Sequence, residues 1–257
     1  MLSTKRVVLA LFLFLVVIDK RLFSDAAFNK SMLRTIGGQI AAPGQIPYQV
    51  VLIEDQRQVC GGSLISETIV LTAAHCIWGL QPNQMEAIVG GNDFMLANND
   101  WYQIAQFINH PQYIHQMLDF DIGLIRLSRP VRLGGLVQKI LLADSDAKYP
   151  AGRTATVSGY GAINHHYDKQ SFLRYAHVPI WSEEDCHKKF SAITKRNICA
   201  GTSGRVGNCQ GDSGGPLTVG DRLYGVVSWG YQCGTPGPIV YSYVPAFRSW
   251  IYENSHI

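Results

Sequence analysis

Asn208-Cys209-Gln210-Gly211-Asp212-Ser213-Gly214-Gly215-Pro216-Leu217 sets a serine between glycines, four residues beyond a cysteine. A serine hydroxyl is almost wholly protonated at neutral pH. It attacks a carbonyl only with a base in hydrogen-bond reach and donors for the charge that develops. Glycines on both sides of Ser213 let the backbone turn sharply and approach a substrate closely. In such a turn the N–H groups of Gly211 and Ser213 can point at one oxyanion. A Gly-rich surface turn would carry the same letters, so the reading depends on a base and an acid elsewhere.

The candidate base is His75, in Leu71-Thr72-Ala73-Ala74-His75-Cys76. A histidine beside a cysteine at a strand end can be held rigidly if Cys76 is bridged, and a base misplaced by ~1 Å loses much of its effect. The candidate acid is Asp121, in Asp119-Phe120-Asp121-Ile122-Gly123-Leu124, just ahead of an apolar strand. A carboxylate buried there needs donors, and an imidazole N–H is one. Asp119 reads as the turn residue of the pair.

The chain around these pieces is globular in composition. Its 257 residues are 47% hydrophobic and 16% charged, with a formal net charge of +3. That balance gives no support for a nucleic-acid or anionic-membrane partner. Lys5-Arg6 precedes twelve apolar residues, Val7 to Ile18, with small residues at Ser24, Ala26 and Ala27. This run is too short to cross a bilayer core of ~30 Å and reads as a secretory signal ending near Ala26. A secreted, extracellular chain without a membrane anchor is expected. Six cysteines, Cys60, Cys76, Cys186, Cys199, Cys209 and Cys233, then suit three disulfides. Spacing alone does not choose the pairing, and no Cys-x-x-Cys or paired Cys/His spacing points to zinc. No metal or cofactor is expected.

Residues 27–34 end in a basic residue. Arg34 followed by Thr35-Ile36-Gly37-Gly38 reads as a processing site, although Asn29-Lys30-Ser31 would also suit an ordinary glycosylated linker. Short β-rich runs then follow one another: 48–53, 63–65, 69–71, 86–89 and 122–127, a more polar crossing at 133–150, then 154–157, 176–180, 216–219 and 223–227. Many short strands at this spacing predict an all-β chain of antiparallel barrels or sandwiches. Only the end reads as helical. Pro245 suits a helix start, and Phe247, Trp250 and Ile251 form an apolar stripe over 245–253, expected to dock on the second half.

The three stretches carrying His75, Asp121 and Ser213 together resemble the chymotrypsin- and trypsin-like serine endopeptidases, in that family's order of His, Asp, Ser. Cys60-Gly61-Gly62-Ser63, Ile198-Cys199-Ala200-Gly201, Val227-Ser228-Trp229-Gly230 and Trp250-Ile251 add to the resemblance, which runs from about Thr35 to the end. It implies two six-stranded antiparallel β-barrels and a C-terminal α-helix, with barrel one at about 35–140 and barrel two at about 141–244. It implies Ser213 as nucleophile, His75 as base, Asp121 as its orienting acid, and Gly211 and Ser213 as oxyanion donors. It also implies the disulfides Cys60–Cys76, Cys186–Cys199 and Cys209–Cys233. The expected division is a signal at 1–26, a propeptide at 27–34 and a protease unit at 35–257, a monomer. Expected partners are protein or peptide substrates, an activating protease and protein protease inhibitors.

In such a zymogen the freed amine of Thr35, after cleavage at Arg34, would pair with Asp212 in the second barrel. The family usually has Ile-Val-Gly-Gly where this chain has Thr-Ile-Gly-Gly. The primary pocket is expected from Gly207, Asn208, Ser228, Trp229, Gly230 and Ile239. Trypsin-like relatives carry an aspartate six residues before the nucleophile, where this chain has Gly207. An Arg or Lys side chain would then be buried unpaired. Gly230 leaves one wall open, while Ile239 stands where open-pocket relatives have glycine, after a Gly234–Pro238 segment one residue short. The expectation is cleavage after small or medium apolar residues, as in elastase-like members, with large aromatics as the alternative. An α/β-hydrolase is excluded, because that fold places its acid and histidine after the serine. The rival from another class is a catalytically weak homologue acting as a binding or regulatory module.

Overall fold

The computed structural model describes residues 38–96, 99–162, 171–203, 206–230 and 235–257. The expected signal, propeptide and processing site (Arg34, Thr35), and Cys233 and Gly234, lie outside the described residues. The strands are β1 (Gln39–Ile40), β2 (Gln49–Glu54), β3 (Arg57–Leu64), β4 (Ile69–Thr72), β5 (Met85–Val89), β6 (Asp100–Asn109) and β7 (Gly123–Leu127), then β8 (Leu141–Leu142), β9 (Thr154–Gly159) and β10 (Arg174–Pro179). Helix α1 (Glu183–Lys189) follows, then β11 (Asn197–Ala200), β12 (Pro216–Val219), β13 (Arg222–Gly230), β14 (Ile239–Tyr243) and helix α2 (Arg248–Ser255).

The first barrel closes in the order β2-β3-β4-β7-β6-β5, all antiparallel. Its interior is apolar because each strand turns Val, Ile or Leu inward. Leu52, Leu64, Val70, Leu71 and Leu124 are wholly buried. The second sheet runs β1-β10-β9-β12-β13-β14-β11, with β8 paired to β13. An antiparallel bridge between Ile180 and Ala200 joins the end of β10 to β11, so its six long strands also come round on themselves. The core there is Val157, Val178, Ile198, Leu217, Val227 and Tyr241. The all-β, two-barrel architecture with a short terminal helix is therefore the one the resemblance implies.

Four expectations change in detail. β1 pairs with β10 of the second sheet, so the strands of barrel one begin at Gln49 rather than near residue 35. β11 and β14 were not among the expected runs, and neither was β6. Its alternation rests on few residues, with Tyr102 and Ile104 buried and Trp101 and Gln103 turned to water. Helix α1 was not expected either. At seven residues it is too short to show a periodicity, and its signals are local: the Ser182 hydroxyl accepts from the Asp185 N–H, acids fill the first turn and His187, Lys188 and Lys189 the last. Last, α2, preceded by a 3₁₀ turn at Val244–Phe247, docks against barrel one as well as its own half. Phe247 and Ile251 share a core cluster with Ile122 and Leu124, and the ring of His110 lies 5.6 Å from Phe247 and 5.0 Å from Trp250. Burying Ile251 completely contributes about 2 kcal/mol.

The Cys60–Cys76 and Cys186–Cys199 disulfides are formed, as the resemblance implied. The third expected pair has Cys233 outside the described residues. No helix among the described residues is long and apolar enough to cross a membrane.

Candidate active site

His75 sits in a 3₁₀ turn, Ala74–Cys76, directly after β4. The disulfide from Cys76 to Cys60 on β3 ties that turn to the barrel wall. Across from it, Asp121 precedes β7 and is 1% exposed. Its Oδ1 accepts the His75 backbone N–H at 2.9 Å, and its Oδ2 lies 2.8 Å from His75 Nδ1. An ionised carboxylate only accepts, so Nδ1 carries the proton and Nε2 keeps a free lone pair. Oδ2 also accepts from the Ser228 hydroxyl at 2.5 Å, and the Asp121 carbonyl accepts from Ser242. Ser228 lies on β13 and Ser242 on β14, so the second barrel supplies part of what holds a first-barrel acid.

The chain reaches Asp121 through strained backbone. Leu118 and Phe120 adopt φ of 50° and 53°, in a region that L-residues enter at a cost of about 1–2 kcal/mol. Phe120 is held there because its ring stacks on His110 and lies under the Arg196 guanidinium, 4.1 Å away. Arg196 makes a two-point pair with Asp119, at 3.0 and 2.7 Å. Asp119 is thus the structural member of the pair and Asp121 the member that meets the imidazole.

Ser213 is held by its backbone. Its carbonyl accepts from the Gly61 N–H at 2.7 Å, next to Cys60, and Gly61's own carbonyl accepts from Thr72 at the end of β4. Gly214, at φ 78°, lies so close to that strand end that a Cβ would fall 2.2 Å from Thr72 Oγ1 and 3.2 Å from the Ala73 nitrogen. The serine loop is therefore pressed onto the end of the strand that leads to His75. Among the described residues the Ser213 hydroxyl makes no hydrogen bond to His75; contacts of this kind tighten when substrate binds.

The directions of two N–H groups follow from their neighbours. In a trans peptide the C=O and the next N–H point opposite ways. The Gln210 carbonyl accepts from Ala162 at 2.8 Å and the Asp212 carbonyl from Gly215 at 2.9 Å. The N–H groups of Gly211 and Ser213 are turned the other way, and neither finds an acceptor among the described residues. N–H groups of one loop without acceptors are the kind of donor that a developing negative oxygen needs.

Beside Ser213 opens a cavity of about 200 Å³ lined by Asn208, Ser228, Trp229, Gly230 and Ile239, among others. Ile239 extends across it. A Cβ on Gly230 would lie 2.8 Å from Ile239 Cδ1, and one on Gly207 would lie 4.0 Å from its Cγ1. Asn208, which lines the cavity, accepts at Oδ1 from the buried Tyr241 hydroxyl at 2.7 Å, a polar pair without charge. Two larger hollows, of about 750 and 490 Å³, lie by Trp181 and between Tyr48 and His177, and neither is lined by His75, Asp121 or Ser213.

Asp212 points away from this cavity into the second barrel. It accepts from Gly161 N–H at 2.7 Å and from Cys209 N–H at 2.8 Å. Only glycine fits at 159 and 161, where a Cβ would come within 2.0 and 2.6 Å of the carboxylate group. Burial pushes its carboxyl up to about 6, only partly countered by those N–H groups and the nearby Asn208 amide. The Asn208 Nδ2 makes no hydrogen bond of ordinary geometry, so the two N–H donors are the firm contacts. No cation pairs with Asp212 among the described residues. One cluster of metal-ligand types appears there, Cys60, His75 and Cys76, but both sulfurs are joined to each other, which leaves a single imidazole.

Sequence reasoning assigned Ser228 to the pocket and missed its bond to Asp121. It also missed Gln58, whose side-chain amide donates to the Gly211 carbonyl. Neither carries a local signal, since each partner lies more than a hundred residues away.

Similarity to known proteins extends over most of the chain. The family model described as Trypsin matches residues 35–251. The chain is 36% identical over 227 residues to the vitellin-degrading protease of Bombyx mori, covering 86% of each. It is 37% identical over 231 residues to trypsin-2 of Salmo salar, covering 88% of this chain and 97% of that one. Among solved structures it resembles neuropsin, a serine protease expressed in the limbic system of mouse brain. The TM-score is 0.78 at 34% identity, over 84% of this chain and 98% of that one.

Proposed function

The chain belongs to the trypsin family and is a serine endopeptidase that acts on protein substrates, and from that premise we propose that it cuts through Ser213, His75 and Asp121. The observation that carries the reading is the buried Asp121 holding His75 Nδ1 at 2.8 Å. Nε2 is thereby left as the base, just beyond the strand end against which the serine loop is pressed.

His75 Nε2 takes the Ser213 proton as the hydroxyl oxygen attacks the substrate carbonyl. The carbonyl oxygen becomes negative between the N–H groups of Gly211 and Ser213, and the imidazolium is stabilised by Asp121. His75 then gives its proton to the leaving amine. Water, activated by the same base, releases the acyl group and restores the serine.

Three further parts of the proposal concern form and specificity. The chain is made with a signal at 1–26 and a propeptide at 27–34, is secreted, and becomes active as a 35–257 unit on cleavage after Arg34. The new amine of Thr35 then pairs with Asp212, whose raised carboxyl and lack of a described cation support a site built for an incoming positive charge. Cleavage falls after small or medium apolar residues. Ile239 lying against Gly230 and near Gly207 supports a shortened pocket, and the absence of a carboxylate at 207 disfavours Arg and Lys.

The test is a peptide library varied at the residue before the scissile bond, given to protein cut at Arg34–Thr35, with Ser213→Ala as control. Serine-dependent cleavage after Ala, Val or Leu is expected. Cleavage after Phe or Tyr would keep the chemistry and discard the short pocket. No serine-dependent cleavage by correctly processed protein would leave a binding or regulatory homologue.

A further inference from the structure

The β2–β3 hairpin turns at Asp55 and Gln56, whose φ values of 45° and 62° suit a tight two-residue turn. Two residues on, the register breaks: Leu52 faces Cys60 and Ile53 faces Gln58, so Val59 is the extra residue of a β-bulge. Bulges re-aim a neighbouring side chain, and here that side chain is Gln58. Its Nε2 donates to the Gly211 carbonyl at 2.5 Å, across 153 residues of sequence and from one barrel to the loop of the other. Contact is close enough that a Cβ on Gly211 would lie 2.7 Å from Gln58 Oε1.

Gly211, at φ 92°, is the freest residue of the loop, and the peptide planes on either side of it turn readily. The plane before it is fixed by Ala162. The plane after it is fixed at its N–H by the Cys209 carbonyl, and at its carbonyl by Gln58. Without the Gln58 donor that carbonyl would turn toward water and carry the Gly211 backbone with it. We propose that Gln58 is a positioning residue of the oxyanion site: its amide holds the Gly211 carbonyl so that the Gly211 N–H stays aimed at the developing charge. The inference rests on the reading of Gly211 and Ser213 as oxyanion donors. It adds that one donor, whose own peptide plane is held by Ala162, is steadied from the following plane by the docking of the first barrel's hairpin.

Two variants of the full chain, assayed after cleavage at Arg34–Thr35, test this beside wild type and Ser213→Ala. Gln58→Met keeps the length and removes the donor. Its kcat should fall about tenfold with KM changed less than about twofold, because the loss is felt where charge develops. Gln58→Glu puts a carboxylate against the Gly211 carbonyl at neutral pH, two acceptors facing each other. Protonation restores a donor, so the ratio of its kcat to that of wild type should rise several-fold as pH falls from about 8 to about 5.5. That comparison is made within one folded protein, so a stability defect common to both pH values does not imitate it. A wild-type kcat in Gln58→Met, or a pH-independent ratio in Gln58→Glu, overturns the role of Gln58 and leaves the proposed function intact. A wild-type chain without serine-dependent cleavage overturns both.

Discussion

Asp121 and Asp212 are equally buried, at 1% exposure each, and their surroundings differ in kind. Asp121 receives three donors: a backbone N–H, an imidazole N–H and a hydroxyl. Asp212 receives two backbone N–H groups, and burial still pushes its carboxyl up to about 6. Equal burial thus serves two ends. One carboxylate is surrounded by its partners and orients a ring; the other is enclosed without a described counter-charge and suits a switch.

The hardest way to break this comparison is to neutralise each acid in turn. Asp121→Asn should lower kcat on the order of 10⁴-fold, because an amide can leave the imidazole in the wrong tautomer. Thermal unfolding of the same variant reports whether the fold is intact. Asp212→Asn should have a split effect. Cut at Arg34–Thr35, it should lose activity by about 10²-fold or more if the Thr35 amine pairs with Asp212 as proposed. Left uncut, it should be more stable than wild type at pH 7. Active-site titration and thermal unfolding of both forms separate the two effects.

A pH series sharpens the contrast. The folded carboxyl of Asp212 titrates near 6, above its ordinary 3.8, so its stabilising contribution is complete below about pH 4 and lost as pH rises through 6. Taken as the difference between uncut wild type and Asp212→Asn, the loss should be roughly 3 kcal/mol. After cleavage the Thr35 amine should pull the carboxyl down and flatten or reverse that dependence. Equal slopes in cut and uncut protein would argue against the pairing. The smallest effect is expected at Ser228→Ala, which removes one of the three Asp121 donors and should lower kcat roughly tenfold with little change in KM.

The two carboxylates also show how far the sequence could be read. Both were visible as acids, Asp121 ahead of an apolar strand and Asp212 before the serine. Their residue types, their order and the glycines around Ser213 are local facts. The same holds for those barrel strands that are continuous apolar runs, while the short β11 and β14 were not read as strands. β6 was missed because half of its side chains face water, and α1 because seven residues hold no period. The docking of α2 was read onto one half only, since an apolar stripe says that a face is buried but not against what.

The sequence by itself therefore determined the chemistry available: a serine in a glycine turn, a histidine beside a cysteine, an uncharged Gly207 and a branched Ile239. Only the tertiary structure decided how those groups are held. Ser228 reaches Asp121 across 107 residues, Ser242 across 121, and Gln58 reaches Gly211 across 153. Each bond runs between the barrels. Its geometry depends on the angle and distance at which two separately closed sheets dock, a quantity set by the packing of the whole interface and written in no single stretch of residues.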